Sequence, residues 1–279
     1  MSLFVQTNVN SLIAQGHFAA TQTKLAKTMQ QLSSGYKINS AADDAAGVGI
    51  ASRLSAQVAS YASAQQNANN ATSMVQTADG GASQISDILT RLSQLAVEGS
   101  SGTMNAADSQ NLQQEFAAQV QEITNIAQNT TFNGNSLLNG AAAATTFQVG
   151  ITSGAQNQVT VTFGGADATA ATGLSLTGAS LSTAGQATTA IATVTAAITT
   201  LAGIRAGFGA AMNQLADTVS NLQQMSTNTS AALSQIRDVD VASATSQLAQ
   251  QQVVSQAGEA ILAQANQQPQ LAVSLIHGQ

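Results

Sequence analysis

The chain has 279 residues, one proline, no cysteine, no tryptophan and a formal net charge of −6, and only 7% of its residues are charged. That inventory excludes disulfides, thiolate nucleophiles, thiolate zinc sites and iron–sulfur clusters. Seven basic residues are too few to neutralise a phosphate backbone, so no nucleic-acid partner is expected. The apolar runs fall short of the roughly 18–20 residues that cross a bilayer, so no membrane insertion is expected. The start MSLFVQTNVNSL lacks a basic region and a small-residue cleavage site, so no cleaved leader is expected. A surface this poor in charge suits either a Gln- and Ser-covered helical protein or a chain buried against copies of itself.

In chain order, residues 1–40 carry Phe18, Leu25, Met29, Leu32 and Tyr36 at 7-4-3-4 spacing. This predicts a helix with a coiled-coil seam, interrupted by Gln22 and ended by Gly35 as a left-handed cap. Ser40 or Asp43 can cap the next helix, and Asp43 and Asp44 suit its N-terminal dipole. Leu54, Val58 and Tyr61 open a 4-3 seam that runs on through Ala68 and Val75 and is punctuated at Gly80-Gly81. Ile85, Ile88, Leu92 and Leu95 resume it, and Gly99–Gly102 ends it. Residues 108–128 predict another helix, with Leu112, Phe116, Val120, Ile123 and Ala127 on one face.

Residues 129–186 are rich in glycine, and Phe147–Ile151 and Val159–Phe163 alternate apolar and polar residues. They predict two strands, with Thr152–Gln158 closing a hairpin. From Ile191 to Ile236 a strict 3-4 repeat passes through Val194, Ile198, Leu201, Arg205, Phe208, Met212, Leu215, Val219, Leu222, Ser226, Thr229 and Leu233. A helix of that span is roughly 70 Å long and needs partner helices to bury so narrow a seam. The chain therefore folds back on itself, ends together. Residues 240–279 resume helical spacing at Leu248, Val253, Val254, Ile261 and Leu262, and Pro269 should kink or end that helix.

No catalytic, cofactor or metal constellation is present in the sequence. His17 and His277 lack carboxylates at ligand spacing, and there is no HExxH, GxSxG or P-loop. Gly47-Val-Gly49 follows no strand, so it is no dinucleotide loop. Asp238-Val-Asp240 has EF-hand-like spacing at two positions but lacks the loop, and reads as a helix junction. Arg205 inside an apolar seam requires a carboxylate on a facing helix or a contact with a neighbouring subunit.

The sequence resembles bacterial flagellin, in a short form with little outer-domain insertion. The resemblance rests on TNVNSL (Thr7–Leu12), LSSGYKINSAADDAAG (Leu32–Gly47), RLSQLAV (Arg91–Val97) and TFNG (Thr131–Gly134). At the other end it rests on SQIRDVD (Ser234–Asp240) and QAGEAILAQANQQP (Gln256–Pro269). It implies a mainly α fold of long antiparallel coiled-coil helices forming a rod, with paired terminal helices and a small β-hairpin element mid-chain. It divides the chain into a terminal inner-tube domain (1–42 and 240–279), a helical rod domain (43–140 and 187–239) and a short variable tip (141–186). Subunit-packing seams fall on Phe18, Leu25, Met29, Leu32, Leu248, Val253, Ile261 and Leu262. The rod core falls on Leu54, Val58, Ile198, Leu201, Phe208, Met212, Leu215, Val219 and Leu222.

The implied function is a structural, non-enzymatic filament subunit used for swimming, exported by the flagellum's type III apparatus without a cleaved signal and extracellular once assembled. Its implied partners are copies of itself, an export chaperone and the filament cap, with no cofactor. The alternatives are a hook–filament junction protein and a secreted monomeric ligand or adhesin. The family's contact with the receptor TLR5 maps to Arg91, Leu95 and Glu115. Ser93 and Gln94 stand where charged residues are common there, which weakens a charge-assisted interface. The alternative for Arg91 and Glu115 is an ion pair within or between subunits.

Overall fold

The computed structural model describes residues 7–140, 144–168 and 173–277. Two compact units emerge, Met1–Ala56 with Asn228–Gln279, and Gln57–Thr227. The helices are α1 (Val9–Ser34), α2 (Ala45–Gly99), α3 (Ala106–Asn129), α4 (Ala184–Arg237) and α5 (Val241–His277). The strands β1 (Thr131–Phe132) and β2 (Asn135–Ser136) form one antiparallel hairpin, and β3 (Thr145–Gln148) and β4 (Gln158–Val161) form another. Among the described residues the chain is mainly α, its terminal helices are paired and its β-hairpins lie mid-chain, as the sequence predicts.

In the first unit α1 starts at Asn8, whose side-chain oxygen accepts from the Ser11 amide. It ends at Gly35 with φ 74°, the left-handed cap that a Cβ would strain. Asn8 Nδ2 donates to the Ala265 carbonyl at 2.7 Å, and Gln22 Nε2 to Ser255 Oγ at 3.3 Å, so α1 and α5 run antiparallel. The first of these bonds explains a departure from expectation. Helix α5 continues to His277 through Pro269, which was expected to kink or end it. Proline has no N–H, so the Ala265 carbonyl four residues earlier loses its helical donor. Asn8 replaces it. Asn8→Asp keeps the N-cap acceptor but removes this donor. It is expected to cost about 0.5–1.5 kcal/mol locally, read as faster amide exchange beyond residue 265 with α1 exchange unchanged.

In the second unit α2 lies antiparallel to α4, tied by Gln65–Gln223 and Asp79–Arg205. Helix α2 runs unbroken through Gly80-Gly81, where a break was expected. Gly81 leaves room for another segment: a Cβ there would lie 2.5 Å from Thr130 Oγ1 and 3.0 Å from Leu138. All 14 positions of the Ile191–Ile236 repeat are buried or half-buried. Within it, Val194, Leu201, Phe208, Leu215 and Leu222 form the buried column at seven-residue spacing. On α3, Phe116, Ile123 and Ala127 enter the same core.

The hairpins were only half legible. The pairing of Phe147 with Val159 places β3 and β4 as expected, shifted by about two residues. The β1–β2 hairpin was not predicted. Its turn is Asn133-Gly134, both at positive φ, the two-residue geometry that Asn-Gly favours. The region expected as a variable tip contributes much to the core. Val149, Val161, Phe163, Leu174, Leu176 and Leu181 are all buried there.

Among the described helices, α4 is long and apolar enough to cross a bilayer by length and composition, although no single apolar run is. Its apolar residues sit at seam spacing and fill a protein core instead. Many threonines on its outer face donate to the carbonyl four residues back, as Thr195 does to Ile191 at 2.8 Å. That satisfies polar groups without charge.

Candidate functional site

Helices α1 and α5 meet along a strict 3-4 seam. Ser11, Ala14, Phe18, Thr21, Leu25, Thr28 and Leu32 face Ala244, Leu248, Gln251, Ser255, Gly258, Leu262 and Ala265, all buried or half-buried. Nine of these 14 seam residues are small or polar. Ser11 Oγ donates to Asn266 Oδ1 at 2.7 Å, and a Cβ on Gly258 would lie 3.2 Å from the Phe18 ring. The predicted phase on α1 is therefore corrected: Thr21 and Thr28 occupy the seam, and Gln22 and Met29 fall outside it. Hydroxyls took positions that hydropathy assigned to the larger apolar residues.

Other large apolar side chains of the pair are exposed. Met29 is 48% exposed, Val253 65% and Ile261 57%. Val9, Leu12, Ile13, Val241 and Val254 are exposed beside them, and sequence reasoning had singled out none of these as packing residues. Of the expected packing residues, Phe18, Leu25, Leu32, Leu248 and Leu262 are at least partly covered within the pair, and Met29, Val253 and Ile261 remain free to meet something else. An apolar groove of about 310 Å³ runs along the pair, with Ala14, His17 and Phe18 on one side and Val254, Gly258 and Ile261 on the other. A cluster of exposed large apolar residues on one helix pair marks an interaction surface.

Next to this pair, α1 and α4 end side by side. The Lys37 amide donates to the Arg237 carbonyl at 2.7 Å and the Val239 amide to the Gly35 carbonyl at 3.0 Å. The Arg237 guanidinium lies 4.3 Å from the centre of the Tyr36 ring. Asp44 Oδ1 accepts the Gly47 amide and caps α2, and Asp240 Oδ1 accepts the amides of Ala242 and Ser243 to cap α5. Asp43 holds the intervening loop. It pairs with Lys27 at 2.7 Å and accepts from the Asn39 and Ser40 amides and the Ser40 hydroxyl.

These contacts, Lys27 foremost, lower the Asp43 carboxyl from its usual 3.8 to about 2. The folded value lies below the unfolded one, so this stabilisation is present above pH 3.8 and is lost as pH falls through about 2. The Asp43 side-chain carbon is expected to titrate in that low range by NMR, and Lys27→Ala to move it back toward 3.8. A midpoint near 3.8 in the unmodified chain would contradict the Lys27 contact.

The expected core residues differ in depth. Leu201, Phe208 and Leu215 are fully buried, Leu222 nearly so, and Leu54, Val58, Ile198, Met212 and Val219 half-buried. Arg205 meets Asp79 at 2.9 Å, which answers the charge in the seam and raises the guanidinium above its ordinary value. Arg91 donates to Glu115 Oε1 from Nε at 3.0 Å and from Nη2 at 2.6 Å. Leu95 has no exposed surface, so the expectation that it contacts a receptor is corrected. It belongs to the α2 face that buries Leu89 and Leu92. His17 is exposed on α1, and no group of three or more metal-ligating side chains occurs among the described residues.

Known proteins place this arrangement. The family described as the bacterial flagellin N-terminal helical region matches residues 5–143, and the bacterial flagellin C-terminal helical region matches residues 191–276. Flagellin of Bacillus subtilis is 34% identical, with 98% of this chain and 99% of that protein covered. Flagellin of Halalkalibacterium halodurans is 33% identical, with 98% and 100% covered. The crystal structure of Bacillus cereus flagellin matches 60% of this chain and 94% of that one, at a TM-score of 0.50 and 32% identity. The chain belongs to the bacterial flagellin family, the structural subunits of the extracellular flagellar filament.

Proposed function

We propose that copies of this subunit pack through the outward apolar face of the α1–α5 pair, and that this packing builds the helical tube. The observation that carries the reading is the exposure, among the described residues, of Met29, Val253 and Ile261 together with Leu12, Ile13 and Val254, each about half exposed or more. In this reading residues 1–42 and 240–279 act as the inner-tube domain, residues 43–140 and 187–239 as the rod, and 141–186 as the short segment between. The seam joining α1 to α5 is small or polar at nine of its 14 positions, so the pair gains much of its order from neighbouring copies.

Seeded elongation tests this. Full-length subunits are expected to lengthen short filament seeds under negative stain, and subunits lacking residues 240–279 to add nothing. Equal growth would overturn the reading.

Non-enzymatic action, an export chaperone, a filament cap and export through the type III apparatus without a cleaved signal belong to the same proposal and rest on the family. TLR5 recognition is carried over for Arg91 and Glu115 alone. Their mutual ion pair competes with any outside partner, and a pair this exposed is worth about 0–1 kcal/mol. Receptor activation by an Arg91→Ala, Glu115→Ala chain is expected to fall several-fold from a weak starting level while its melting temperature changes little. Unchanged activation would remove the recognition role.

A further inference from the structure

The chain has six methionines and no cysteine. Its thioethers are therefore the groups most open to two-electron oxidation. Met74 is buried, Met104 and Met212 are half-buried, and Met29 and Met225 are exposed. Among the described residues, the two exposed thioethers sit in different surroundings. Met225 lines a groove of about 810 Å³ of mixed polar and apolar character, with Tyr61, Gln214 and Leu222. Met29 is 48% exposed on α1, one residue past Thr28, which turns into the α5 seam.

We propose that Met29 is an oxidation site that controls whether a free subunit can be incorporated. The inference rests on the reading that the outward face of α1 and α5 is covered by neighbouring copies. A hydroperoxide transfers one oxygen to the Met29 sulfur. The sulfur loses two electrons and gains an S=O bond, the O–O bond breaks, and the second peroxide oxygen leaves as water or an alcohol. The product keeps the side chain's length but carries a strong hydrogen-bond acceptor. Burying that acceptor in an apolar contact without a donor is costly, so the oxidised subunit is excluded from the packed face. Once incorporated, Met29 is covered and the thioether survives. The reaction is reversible by a thiol-dependent methionine sulfoxide reductase, which returns the excluded subunit to the assembling pool.

The test uses the unmodified full-length chain. Subunits are partly oxidised with hydrogen peroxide, added to short unoxidised seeds, and separated into sedimented filaments and supernatant. Tryptic cleavage after Lys27 and Lys37 isolates Met29 as the only methionine of its peptide. The sulfoxide fraction of that peptide is expected to be at least about tenfold higher in the supernatant than in the filaments. Reductase treatment of the supernatant is expected to restore its growth on seeds. Equal sulfoxide fractions in the two pools would overturn the proposal while leaving the packing reading intact. Failure of unoxidised subunits to lengthen seeds would overturn the packing reading, and this proposal with it.

Discussion

Subunits carrying aspartate at both Val253 and Ile261 are expected to fail at seeded elongation. Both side chains are more than half exposed on the α5 outward face. Burying a Val or Ile side chain contributes about 1.5–3 kcal/mol. Two lost contacts of that size raise the critical concentration by at least roughly 100-fold. The aspartates add the cost of desolvating an unpaired carboxylate. The melting of Gln57–Thr227 is expected to stay put, because neither residue belongs to that unit. Leucine at both positions keeps the apolar surface and is expected to retain most of the growth. Normal elongation with both aspartates would mean that this face is not a packing surface.

Phe208→Ala is expected to produce the opposite pattern. Phe208 is fully buried in the seven-residue column of α4, and its ring centre lies 5.7 Å from that of Phe163 at a 48° tilt. It joins the helical core to the segment that follows β4. Truncating a buried Phe costs about 3–5 kcal/mol through lost transfer energy and the cavity left behind. For a unit of this size that lowers the melting temperature by roughly 6–20 °C. Calorimetry of the full chain reads this directly. Elongation well below the new melting temperature is expected to persist, because α1 and α5 are untouched. The two variants together separate the unit that keeps the fold from the face that makes the filament.

The contrast follows from how each region is written in the sequence. The Phe208 column was fully legible, because 11 of the 14 repeat positions are apolar and the period never slips. The α1–α5 seam was not. Its buried and half-buried positions include Ser11, Thr21, Thr28, Gln251, Ser255 and Gly258, which a hydropathy pattern passes over. Hydropathy found Phe18, Leu25, Leu32, Leu248 and Leu262 in the seam, but it also selected Met29, Val253 and Ile261, which are exposed. A seam built of small and polar residues beside an apolar outer face is the inverse of a self-sufficient coiled coil. It is the pattern expected of a subunit whose main apolar contacts lie between molecules.

Other misses have local causes. Gly80-Gly81 and Pro269 read as breaks because local propensity cannot see Thr130 and Leu138 packed on Gly81, or Asn8 supplying the donor that Pro269 lacks. The Asn133-Gly134 turn carried a usable hairpin signal, but two-residue strands leave no alternation to detect. Leu95 illustrates the limit of carrying a site over by motif. The motif matches, yet the α2 helix turns that side chain into the core.

The central claim is that the outward face of α1 and α5 becomes buried between subunits. Because the chain has no native thiol, single cysteines at Val253 and at Ile261 give clean reporters. Thiol labelling is measured on the same variants as free subunits and as filaments. The account predicts rapid labelling of free subunits and at least about tenfold slower labelling in filaments at both positions. Equal rates in the two states would contradict it.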